Sequence, residues 1–477
     1  MSQVKSIFKN MSWLLISQII VSALAFFWTI LITRYLGVQR YGILGFATST
    51  VGMVGVLMDL GMSAYIVRHI ATNNDSVSKY LGNAIPLKLM LFVGTFAFLL
   101  VCLILMKCDE LTITITLLFL IEGIFQTTIN LINGAFLAFE KAKYQGIGTV
   151  LINVLLFLFI LLTIFTDLGL YGIAISYIIA NIIGLIYEYY TLNKRIAKPK
   201  FELDKSLYKK LLLSGLPFAI TGILSSVYYS IDVIMLTTMV GNYATGLYNA
   251  TYKLIGVLTL FYSVYSSVIY PVMSKFFKND KRSLVVIYEK SIKYLMLIII
   301  PLAVATTYYS LDIIHFIYGA EYDPSAPILS ILIWTVCLLF ANGAGNSLLT
   351  ASHKERTVTK IYALAAGFNV VANLILIPYL SYIGAAITTV LSDILIFIIQ
   401  KYVIHKIGSK PNKKLYYDLV KIITGSLVLG IALYFLKLNM WVAIPVGIII
   451  YFATICLLKL FDDNDKFIIK EILGKNN

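Results

Sequence analysis

The chain has 477 residues, of which 60% are apolar and only 13% charged, and its mean hydropathy is +0.88. Soluble chains carry about 25% charged residues, so a water-covered globule is excluded. The net charge of +15 does not indicate nucleic acid, because no polar domain is present to display a basic face.

Apolar runs of about 20 residues recur from end to end, each long enough to cross a bilayer as a helix. A β-barrel would instead show alternating segments of about ten residues. The sequence predicts an all-α polytopic membrane protein with about 14 transmembrane helices. Their approximate spans are 11–33, 41–66, 80–106, 111–138, 145–166, 168–191, 209–237, 245–271, 290–314, 325–350, 357–378, 382–405, 417–436 and 440–459. The first run follows Lys5 and Lys9 with no small-residue cleavage site after it, and reads as a retained helix. Only Arg34, Arg40, Lys107 and Lys437 fall in loops on the side opposite the N-terminus, and Lys88 and Lys253 fall inside helices. All other Lys and Arg share the side of the N-terminus, which places both ends in the cytoplasm.

The chain repeats itself. An offset of 204 residues puts Gly37 on Gly241 and Gly42 on Gly246. An offset of 212 puts YGIAISYIIAN (171–181) on IGAAITTVLSD (383–393). Residues 1–200 and 205–410 therefore read as two six-helix lobes. Six is even, so the copies are parallel, related by an axis along the membrane normal. Residues 411–477 add two further helices and a cytoplasmic tail.

The span after Gly241 places Gly246, Asn249, Lys253 and Gly256 on one face. The equivalent face of the first copy has Gly42, Gly45, Ser49, Gly52 and Asp59. Small residues allow close helix packing, whereas charges in the membrane mark a wet cavity. Lys253 and Asp59 favour the cavity, lined also by Ser49, Asn249 and Tyr248. Lys253 lies about 12 Å deep at 1.5 Å per residue, and outward snorkelling is the alternative to a cavity role. Lys88, at similar depth from the other side, fits snorkelling at least as well as a functional role. Deep acidic residues are Glu122, Asp232 and Asp393; Asp232 is placed to pair with Lys253. Asp59, Asp232 and Glu122 are candidates for coupling to a proton or Na⁺ gradient. Pro217 and Pro271 are expected to bend or break their helices. The four cysteines and four histidines have no metal-ligand spacing, and no phosphate-binding loop for ATP is present. No cofactor is expected. DDND (462–465) is too short and isolated to read as a metal–nucleotide site.

ATGLYNATYKLIGVLTLFYSVYSSVIYPVMSKFF (244–277), LGVQRYGILGFATSTVGMVGVLMDLGMSAYIVRHIA (36–71) and IPYLSYIGAAITTVLSD (377–393) resemble bacterial polysaccharide flippases. These are the O-antigen and capsule repeat-unit exporters of the multidrug/oligosaccharidyl-lipid/polysaccharide superfamily. The resemblance covers about 400 residues in order and implies two lobes around a cavity in the bacterial cytoplasmic (inner) membrane. It implies transport, not catalysis, of a polyprenyl-diphosphate-linked oligosaccharide among membrane lipids, with polysaccharide polymerase machinery as a partner. Cations in such cavities hold the diphosphate or acidic sugars; by position Lys253 fits that role, followed by Arg34, Arg40 and Arg68. The rival from the same superfamily is a cation-coupled multidrug exporter, which would carry acids rather than a lysine as its main charge. A membrane glycosyltransferase or polymerase would need clustered acids in a large external loop, and the fullest such loop (315–327) holds only Glu321 and Asp323.

Overall fold

A computed structural model describes residues 3–279, 281–462 and 465. Among them are 11 helices long and apolar enough to cross a membrane, and no strand. Apolar side chains surround most helices, as lipid contact requires. The helices are α1 (Gln3–Asp59), α2 (Met62–Thr72), α3 (Val77–Leu105), α4 (Glu110–Ala138), α5 (Ala142–Phe165), α6 (Gly169–Arg195) and α7 (Lys205–Met239). They continue as α8 (Asn242–Asn279), α9 (Lys281–Tyr308), α10 (Ser310–Tyr318), α11 (Ala326–Ala351), α12 (Glu355–Lys406), α13 (Lys413–Leu436) and α14 (Met440–Leu457).

Helix breaks occur where the backbone turns left-handed. α1 breaks at Gly37 (φ 69°, ψ 172°) and α12 at Ser381 (φ 52°, ψ −134°), so each holds two spans. The expected span 41–66 stops instead at Leu60–Gly61, both at positive φ. The expected span 290–314 ends at Tyr308, and α10 follows as a separate short helix. α7 runs through Pro217, and α8 runs through Pro271 to Asn279, so neither proline ends its helix. Side-chain oxygens cap other starts: Asp109 accepts from Thr112 N, Asp204 from Ser206 N and Leu207 N, Asn412 from Lys414 N, and Asn439 from Trp441 N.

The left-handed positions recur along the chain. Gly37 and Gly241 both have positive φ at the 204-residue offset. Lys107 and Gly319, and Gly169 and Ser381, do so at 212, and Glu140 and His353 at one residue more. Backbone geometry thus carries the same period as the side-chain pattern.

By contacts the chain divides into two compact units. One comprises Met1–Asn249 with Ile377–Ser381; the other comprises Ala250–Leu376 with Tyr382–Asn477. In the first, α1 packs on α3, α4, α5 and α7, while α6 packs on α4 and α5. α7 and the start of α8 therefore join the first unit, although by sequence period they open the second copy. A core of Met62, Ile66, Ile70, Leu81, Ala84, Leu131, Ile132, Phe136 and Leu211 fills the space between α2, α3, α4 and α7. In the second unit, α9 packs on α11 and α13, and α13 on α14.

Candidate functional site

The small-residue stripe has two parts. At its start, a Cβ on Gly42 would meet the Asn242 carbonyl oxygen, and a Cβ on Gly246 would meet that of Val38. Val38 and Asn242 are themselves repeat equivalents, so these two contacts mirror each other. Gly45 faces the side chain of Asn249, its own equivalent. Here glycine serves close backbone packing. Further along, a Cβ on Gly52 or Gly256 would meet nothing within 4 Å, and the stripe opens. Packing and cavity thus each account for part of it.

Gly52 lines a cavity of 510 Å³ within the first unit. The second half of α1 and the break at Gly61 supply Thr48, Asp59 and Gly61. α4 supplies Glu122, Gln126 and Asn130, α6 supplies Tyr177, and α7 supplies Phe218 and Gly222. A Cβ on Gly61 would strike the Gly215 carbonyl, so glycine lets α7 close against the α1–α2 corner that forms the wall.

Two of the sequence-predicted coupling residues, Asp59 and Glu122, meet in this cavity. Asp59 is ion-paired with Lys88 of α3 at 2.5 Å. Lys88 is 1% exposed and also donates to the Thr127 carbonyl at 2.9 Å. The snorkelling reading of Lys88 is therefore corrected: its stem turns inward and its ammonium is held by protein oxygens. Ser63 donates to Asp59 from its hydroxyl at 2.5 Å and from its backbone N–H at 3.3 Å. Glu122 accepts from Asn181 Nδ2 at 2.8 Å. The cavity thus holds one compensated charge pair and a second carboxyl beside it.

The remaining candidates lie elsewhere. Asp232 is buried and accepts from the Tyr248 hydroxyl at 3.0 Å; it and Lys253 fall in different units. Tyr248 and Asn249 are buried rather than open, at 1% and 6% exposure. Ser49 is half-buried. Arg34, Arg40 and Arg68 are exposed, and none lines the 510 Å³ cavity. Arg40 sits near the α5–α6 turn, where Tyr35 donates to Asp167 at 2.9 Å and accepts from Gly169 N–H at 2.8 Å. Lys253 is exposed on α8, and among the described residues no carboxylate pairs with it.

At one end of the second unit, Asp462 and Asp465 of the DDND segment, whose two middle residues lie outside the described ones, form a clamp. Lys293 pairs with Asp418 at 2.8 Å and Asp465 at 2.7 Å, and Lys414 pairs with Asp462 at 2.6 Å. Lys290 also pairs with Asp465, and Tyr294 donates to it at 2.6 Å. These aspartates fasten α13 and the segment after α14 to α9.

Fold and site together define a polytopic helical membrane protein of transporter architecture. The fold is similar to that of lipid II flippase MurJ in an inward closed conformation, with a TM-score of 0.78 at 15% identity over 92% of this chain and 97% of that one. It is also similar to an inward-facing multidrug resistance MATE family transporter, with a TM-score of 0.68 at 15% identity over 81% and 95%. The family model described as polysaccharide biosynthesis protein matches residues 7–277, and the MatE model matches residues 217–375. The chain belongs to the polysaccharide biosynthesis protein family.

Its relatives come from archaea and a bacterium. An uncharacterized membrane protein of Methanocaldococcus jannaschii is 28% identical over 54% of this chain and 52% of that protein, so the match spans about half of the relative's length. A probable low-salt glycan biosynthesis flippase of Haloferax volcanii is 20% identical over 80% and 79%. The capsular polysaccharide biosynthesis protein CapF of Staphylococcus aureus is 23% identical over 83% and 98%.

Proposed function

We propose that this protein is a flippase that carries a polyprenyl-diphosphate-linked oligosaccharide from the inner to the outer leaflet of the cytoplasmic membrane. One observation carries the reading: Lys253 is exposed on α8 of a membrane protein, with no carboxylate partner among the described residues. A charge at that depth is costly and is kept where it meets something. A diphosphate is an anion that an ammonium holds as a point charge. Family membership and the glycan-related relatives support the same substrate class.

The two copies, 1–200 and 205–410, rock against each other in alternating access; the recurring left-handed positions support this division. α13 and α14, with Asp462 and Asp465, brace the second copy. Both termini face the cytoplasm, and the delivered unit passes to polymerase machinery. A proton or Na⁺ gradient drives the cycle through Asp59 and Glu122, with Asp232 as a further coupling residue. Protonation or cation binding at Asp59 would release Lys88, which is how a buried pair becomes a switch.

The MatE match over residues 217–375 favours a second reading, a cation-coupled multidrug exporter. Deleting the gene separates the two. A flippase deletion leaves lipid-linked units on the cytoplasmic leaflet and strips the surface glycan. An unchanged surface glycan with altered drug sensitivity would establish the exporter.

A further inference from the structure

Glu188 lies on α6, two turns inside its basic end, and is completely buried at 0% exposure. Neither carboxyl oxygen has a hydrogen-bond partner among the described residues. The surrounding helices are shaped to receive it. On α5, a Cβ at Gly148 would sit 2.6 Å from Glu188 Oε1, so the carboxyl packs directly against this glycine. On α4, Asn133 approaches the carboxyl without reaching hydrogen-bond geometry. The amide oxygen of Asn133 is also buried without a partner, as is that of Gln145, one turn from Gly148 on α5.

Among the described residues, the cations nearest this group are engaged elsewhere. Lys141 donates to the Arg195 carbonyl. Lys143 lies over Trp13 at 5.4 Å, Lys194 over Tyr190 at 5.6 Å and Arg195 over Tyr144 at 5.9 Å. The titratable neighbours are Tyr187 and, beyond it, Tyr144, neither of which supplies positive charge. From α1, Ser17 packs on Gly146 with its hydroxyl turned to the Leu14 carbonyl.

An ionised carboxylate in such a place is too costly to persist alone. An apolar side chain would pack there without that penalty, so the carboxyl marks a site for positive charge. We infer that Glu188, with Asn133 and Gln145, forms a site for a small monovalent cation, either a proton or an alkali metal ion, inside the α4–α5–α6 core. The donors are all oxygens, one carboxylate and neutral amides, which suits a hard cation of single charge and not a transition metal. The site is separate from the Asp59–Lys88–Glu122 cavity, and its assignment does not depend on the transported substrate.

The test is thermal unfolding of the detergent-purified full chain, wild type against Glu188→Gln, in NaCl and in choline chloride at equal ionic strength. Each salt is run from mildly acid to mildly alkaline buffer. A Na⁺ site gives the wild type a rise of about 2–4 °C in NaCl that Glu188→Gln abolishes. A proton site gives a wild-type Tm that is insensitive to Na⁺ and falls with rising pH, and Glu188→Gln flattens that fall. Salt and pH responses identical in both proteins would overturn the inference. Should Glu188→Gln not accumulate, Asn133→Ala keeps the carboxyl and removes one donor. The inference then requires a weakened Na⁺ response or a displaced pH response, and an unaltered response would overturn it.

Discussion

Lys88 and Lys253 are the two lysines placed deep inside transmembrane segments, and the fold treats them in opposite ways. Lys88 is sealed, with Asp59 at 2.5 Å and a backbone carbonyl at 2.9 Å. Lys253 is exposed and has no carboxylate partner among the described residues. Hydropathy alone scores them alike. The difference is that the first charge is neutralised by the protein, whereas the second meets no carboxylate among the described residues. A paired cation tunes stability or switching, and an unpaired one recruits an anion.

Breaking the pair has the largest expected effect on the protein itself. Lys88→Ala leaves Asp59 facing the cavity without its partner and should cost about 3 kcal/mol or more, read as a lowered Tm and reduced membrane abundance. The double variant Asp59→Leu with Lys88→Met removes both charges and should recover most of that stability. If the single variant were as stable as the wild type, Lys88 would not be a structural partner.

The glycine contact at the stripe's start comes next. Gly246→Leu drives a side chain into the Val38 carbonyl and should cost about 2 kcal/mol. Gly256→Ala, in the open part of the stripe, should be nearly neutral in Tm. Equal losses at both positions would erase the distinction between packing and open segments.

The smallest effect belongs to the clamp between α9, α13 and the segment after α14. Asp465→Asn should cost about 1 kcal/mol, because Lys293 keeps Asp418. Burial works against the Asp465 carboxylate, but Lys290, Lys293 and Tyr294 hold it well below the usual carboxylate range. Its contribution is therefore present above the unfolded carboxylate value of about 3.9 and is lost only as pH falls through the lower folded value. The Tm gap between wild type and Asp465→Asn should stay constant from neutral pH down to mildly acid buffer. A gap that closes within that range would contradict the clamp.

Much of the architecture was legible in the sequence. Apolar runs located the helices, and the glycine pattern at Gly37 and Gly241 located two of the breaks. The break at Leu60–Gly61 was hidden, because neighbouring apolar residues continue the run through it. The pairing of Asp59 with Lys88 joins the end of α1 to α3 and depends on how each helix is rotated, which a run of apolar residues does not encode. Glu188 lies among tyrosines close to the basic end of α6, where nothing in the apolar pattern marks a carboxyl as buried. The signal that would have found it is a carboxylate on the lobe-facing side of α6 opposite a glycine on α5.

The most direct measurement compares Lys253→Ala with Lys253→Arg, following surface glycan, leaflet location of lipid-linked units and membrane abundance together. The account predicts that the alanine variant, at normal abundance, traps lipid-linked units on the cytoplasmic leaflet, and that arginine restores much of the export. Normal export by the alanine variant would contradict it, and would leave the exposed lysine without a part in transport.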